Sequence, residues 1–83
     1  MNNTGWIVVN AIKGDATATR EEILFINDIR TWRKWLEGDI ETNKTMVYLL
    51  PYKAEDKLRT IKIDESWDSF TERMSNHGVI IPL

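Results

Sequence analysis

Asn27-Asp28-Ile29-Arg30-Thr31-Trp32-Arg33-Lys34-Trp35-Leu36-Glu37-Gly38 decides the fold, because two periodicities place its aromatic and basic residues differently. At the helical advance of about 100° per residue, Ile29, Trp32, Trp35 and Leu36 fall in one arc of about 120°. Arg30, Arg33 and Lys34 then fill a neighbouring arc of about 100°. At strand spacing Arg and Trp mix on both faces. Asn27 or Asp28 suits an N-cap and Gly38 a left-handed C-terminal residue. A helix is therefore expected here, with both tryptophans toward the core and the three cations toward water.

On the N-terminal side, Trp6 to Ile12 contains the β-branched run Ile7-Val8-Val9, which favours a strand. Gly14-Asp15 marks a turn, and Ile23-Leu24-Phe25-Ile26 is short enough to be a buried strand, so the two segments are expected to form a hairpin. On the C-terminal side, Asp39 to Lys44 is polar and reads as a loop. Thr45-Met46-Val47-Tyr48-Leu49-Leu50 reads as a strand ending at Pro51. A charged connection, Pro51 to Lys57, leads to Leu58–Ile63, where Ile61 and Ile63 alternate with Thr60 and Lys62. That makes a second hairpin with one wet face.

Asp64-Glu65-Ser66-Trp67-Asp68 opens a helix with acids at its positive end and Arg73 near the other. Trp67, Phe70, Thr71 and Met74 form one apolar stripe to lie on the sheet. Asn76-His77-Gly78 ends the helix, and the apolar tail Val79-Ile80-Ile81-Pro82-Leu83 is expected to pack or to add an edge strand. The chain thus reads as β-β-α-β-β-α, an α+β domain of about four antiparallel strands and two helices. At 83 residues it supports one core, so residues 1–83 are read as a single domain.

From Ile23 onward, Ile23-Leu24-Phe25-Ile26-Asn27, Thr45-Met46-Val47-Tyr48-Leu49 and Ile61-Lys62-Ile63-Asp64-Glu65-Ser66-Trp67, the last leading into a final helix, resemble the small flagellar-operon proteins of the FlbD type. The likeness covers about half the chain and rests mostly on hydrophobic pattern. The Trp-rich segment Ile29 to Leu36 and the connection Pro51 to Lys57 depart from that family. The resemblance implies a small sheet with a C-terminal helix and a regulatory or accessory role, and no functional residue transfers.

Composition removes several chemistries. There is no cysteine, hence no disulfide, thiolate nucleophile or cysteine zinc site. The one histidine, His77, sits at a helix end, where capping or solvation explains it more simply than catalysis. Asp64, Glu65 and Asp68 could hold a cation, yet they lack the spacing of a calcium loop and suit a helix start. The four glycines are isolated and open no phosphate loop. Neither enzyme activity nor a cofactor is expected. With no basic leader and an apolar run too short to span a bilayer, a cytoplasmic location away from membranes is expected.

Four tryptophans in so short a chain are hard to bury completely. Trp35, at the margin of its arc, is the candidate for an exposed anchor. With Arg33, Tyr52, Arg30 and Lys34 it would make a partner-binding patch, tryptophan and arginine being the common hot-spot residues. The alternative is that Trp35 covers the core. The leading expectation is a protein-binding module that occupies a partner's surface, of the kind that phages and mobile elements encode. Two alternatives remain: a self-assembling accessory subunit, and single-stranded nucleic-acid binding through residues 29–36.

Overall fold

The computed structural model describes residues 5–12 and 18–79. Five strands run in chain order: β1 Trp6–Ile12, β2 Thr19–Phe25, β3 Ile29–Glu37, β4 Ile40–Leu49 and β5 Arg59–Ile63. One helix follows, α1 Trp67–Asn76. The strands form a single sheet in the order β2-β1-β5-β4-β3, and every pairing is antiparallel.

The expected β-β-α-β-β-α order is wrong at its centre. Residues 29–37 are a strand, so the described residues hold five strands and one helix rather than four and two. Only Ile26–Asp28 is helical there, as one 3-10 turn. The expected loop at 39–44 belongs to β4, which starts at Ile40. Gly38 has φ +64 and Glu37 pairs directly with Ile40. Gly38-Asp39 is thus a two-residue hairpin turn with glycine first, where the II′ class needs it. The glycine read as a helix stop reverses a strand instead. β2 begins earlier than Ile23, at Thr19, and β1–β2 and β4–β5 pair antiparallel as expected, while the expected Gly14-Asp15 turn lies outside the described residues. The tail beyond Val79 lies outside the described residues.

Alternation divides the sheet into two faces. Ile7, Val9 and Ala11 of β1, Leu24 of β2, Trp32 of β3, Thr45, Val47 and Leu49 of β4 and Ile63 of β5 point inward and are buried. Phe70, Thr71 and Met74 of α1 close over them. Trp32 and Phe70 meet edge to face at 5.4 Å between ring centres. The Trp32 indole N–H donates to the Thr71 hydroxyl at 2.9 Å, which settles the polar atom of a buried tryptophan. Ser66 caps α1 by accepting from the Ser69 amide, with Asp68 in the first turn and Arg73 in the last.

β2 passes into β3 through only the 3-10 turn, and the Leu50 amide donates to the Asp28 carbonyl. The sheet therefore curls, bringing Leu24 and Ile26 into the same core as Leu49. β5 ends at Ile63, opposite Ala11, so no described strand flanks the earlier residues of β1 on that side. The Asp64 amide takes the Asn10 carbonyl, and Arg73, held to Glu65 at 2.6 Å, takes the Val8 carbonyl at 2.6 Å. The β5–α1 connection, through Asp64, and the helix, through Arg73, thus donate to the carbonyls of β1 that β5 no longer reaches.

Candidate interaction surface

The residues between the inward positions of β1 and β2 point to the other face of the sheet, which α1 does not cover. The register places Trp6 opposite Phe25 and Val8 opposite Ile23. These four are 57%, 57%, 38% and 58% exposed. Two adjacent cross-strand apolar pairs in water form a contiguous patch, which marks an interaction surface far more strongly than scattered exposed hydrophobics do. The next outward pair is Asn10 with Glu21, so no outward cation adjoins the patch within this hairpin.

The other half of the same face is basic and aromatic. Arg33, Met46 and Lys62 form one row across β3, β4 and β5. The Arg33 guanidinium lies 5.0 Å from the centre of the Tyr48 ring, and the Lys62 ammonium 3.9 Å from that of Trp35. Trp35 also donates to Glu37 at 3.0 Å, while its carbonyl accepts from the Thr42 hydroxyl. Off this face, at the start of β5, Arg59 lies opposite inward-facing Leu49 and stacks on Tyr52 at 4.1 Å. Each of these ring faces already carries a cation, a contact of about 0.5–1 kcal/mol at exposed sites.

The expected patch of Trp35, Arg33, Tyr52, Arg30 and Lys34 is not one surface. Trp35 and Arg33 share the outer face. Lys34 pairs with Thr45 on the opposite face, where its ammonium meets Glu41 at 3.3 Å. Arg30 is exposed in the register shift between Ile29 and Thr31, and Tyr52, 86% exposed, lies in the β4–β5 connection. Nor do both tryptophans of the segment face the core. Trp32 does, Trp35 is half-buried on the outer face, and the exposed tryptophan is Trp6. The residues missed were Trp6, Val8, Ile23 and Phe25. Their signal was present: Trp6-Ile7-Val8-Val9 and Ile23-Leu24-Phe25-Ile26 are apolar on both strand faces, which requires cover on both sides.

Ile23, Leu24 and Phe25 also line a cavity of about 240 Å³, completed by Asp28, Leu49, Tyr52 and Arg59. Three consecutive strand residues border one space only along the strand's edge, because neighbouring side chains point apart. The volume is below the roughly 300–1,000 Å³ of small-molecule sites and suits a single side chain. Among the described residues, no three acidic or histidine side chains gather closely enough to hold a metal ion. Glu65 is engaged by Arg73 and by the Ser69 hydroxyl. No described helix is long and apolar enough to cross a membrane.

Comparison with protein-family models, curated proteins and solved structures finds no match. The functional reading therefore rests on the chemistry of the exposed face.

Proposed function

We propose that this chain is a non-enzymatic protein-binding module, accessory or regulatory in role, whose contact surface is the outer face of the β1–β2 hairpin. The observation that carries the reading is the exposed ladder of Trp6–Phe25 and Val8–Ile23. Burying four such side chains against a partner contributes on the order of 25 cal/mol per Å² of apolar area, and an aromatic pair at the centre has the composition of a binding hot spot.

Nucleic acid fits this face less well. Strand binding needs stacking rings beside free cations. Here the Trp6–Phe25 pair is flanked by aliphatic Val8 and Ile23, and the nearby cations, Arg59 at the Phe25 cavity included, already lie on other rings. Replacement of Phe25 by a photo-crosslinking phenylalanine analogue tests the assignment. The expected product after irradiation in a cognate lysate is an adduct with a different protein. Adducts only with nucleic acid, or only with a second copy of the chain, would overturn it.

A further inference from the structure

We infer that the partner engages this surface by adding an extended strand to the free edge of β2, with apolar residues opposite Phe25 and Ile23 and a basic residue opposite Glu21. The inference rests on the protein-binding role proposed above and names the partner's chemistry.

Alternation of the ladder fixes which groups are free. The Ile26 amide donates to the Gly5 carbonyl, so the pairs bonded across β1–β2 are Ile7–Leu24, Val9–Glu22 and Ala11–Arg20. The opposite side of β1 agrees, since Val8 and Asn10 offer their carbonyls to Arg73 and Asp64 there. The main-chain groups of Thr19, Glu21, Ile23 and Phe25 consequently point away from β1, and no described strand lies beyond them. These are the same residues whose side chains form the outer face, so an added strand continues the apolar ladder and the backbone ladder together.

The two edges of the sheet are not equivalent. β3 is broken by register shifts at Ile29/Thr31 and Lys34/Leu36, the usual device against edge pairing. β2 runs its seven residues in unbroken register. The cavity bordered by Ile23, Leu24 and Phe25 lies on this edge and has room for one side chain of the incoming strand, the one beside Leu24.

A second copy of β2 is a poor occupant. Antiparallel pairing centred on Glu22 sets Ile23 against Glu21, and centring it on Ile23 sets Phe25 against Glu21. Sliding the centre to Leu24 leaves only residues 23–25 overlapped before the chain turns at Ile26. A strand with apolar residues opposite Phe25 and Ile23 and a lysine or arginine opposite Glu21 has no such conflict.

The test titrates isotope-labelled chain with the peptide acetyl-Thr-Ile-Leu-Val-Thr-Lys-Thr-amide and follows amide exchange by NMR. The expected result is new protection at Glu21, Ile23 and Phe25, with Glu22 and Leu24 unchanged. A peptide N-methylated at Ile, Val and Lys is expected to bind at least about tenfold more weakly, since three donors to β2 are removed. Ile23→Pro removes one outward N–H donor, leaving the carbonyl acceptor and every β1 bond in place, and is expected to weaken binding about fivefold relative to Ile23→Thr. Binding without protection at the three amides would overturn the edge while leaving the protein-binding role intact. Protection that rises with protein concentration in the absence of peptide would replace the partner strand by a second copy. No spectral change at about 1 mM peptide would also overturn it. Failure of the role itself is read separately, from the products of the Phe25 crosslink.

Discussion

Trp32 is 3% exposed and satisfies its one polar atom through Thr71, a residue 39 positions away that it meets only in the folded chain. Trp32→Phe is expected to cost about 1–3 kcal/mol, from lost packing and an unpaired Thr71 hydroxyl. Thr71→Val is expected to cost a similar amount, by stranding the indole N–H. Urea denaturation checks both, and the double variant should be less destabilised than the sum because neither partner is then stranded. Arg73 and Lys34 make an informative contrast. Arg73 is partly buried and holds both Glu65 and the Val8 carbonyl, so Arg73→Met should cost about 1–3 kcal/mol. Lys34→Met removes only an exposed ion pair with Glu41 and should cost no more than about 0.5 kcal/mol. Equal losses in the two variants would refute the role of Arg73 as the ladder partner of β1.

At the scale of the element, β3 shows where local sequence stops short. Its residues satisfy helical spacing, and the mixing of basic residues and Trp on both faces, which argued against a strand, is the observed arrangement: Trp32 and Lys34 on one face, Arg33 and Trp35 on the other. What decides it is outside the segment. Trp32 is aligned with Val47 and Lys34 with Thr45 on a neighbouring strand, whose ladder takes up the backbone groups that a helix would have bonded within itself. One local signal did favour the strand, the Gly38-Asp39 pair between two β-capable runs. Because Gly38 sits at φ +64, Gly38→Ala should cost about 1–2 kcal/mol, checked by thermal melting. By contrast β1, β5 and α1 were legible, β1 from its β-branched run, β5 from its alternation, and α1 from a stripe whose Phe70, Thr71 and Met74 are buried and whose Trp67 packs partly buried against the core. The expected patch is dispersed for the same reason that β3 was misread. Arc positions computed on a helix gathered residues that the strand disperses, and the true apolar ladder depends on a register between β1 and β2 that spacing alone does not give.

For the whole molecule, one helix covers one side of the sheet, and among the described residues the other side is exposed and apolar at β1–β2 and cation-capped at β3–β5. Trp6→Ser with Phe25→Ser should lower binding of a hydrophobic dye and shift the melting temperature by no more than a few degrees, since both residues are more than half exposed. A large loss of stability would mean that the pair belongs to the core rather than to a contact surface. The most direct measurement is affinity capture from a cognate lysate with three tagged chains side by side: wild type, Trp6→Ser/Phe25→Ser, and Arg33→Ala/Trp35→Ala. The expected outcome is a partner protein retained by the wild type and by the Arg33/Trp35 variant and lost by the Trp6/Phe25 variant. Retention by the Trp6/Phe25 variant, with loss by the Arg33/Trp35 variant, would place the contact on the basic half of the sheet and contradict the assignment made here.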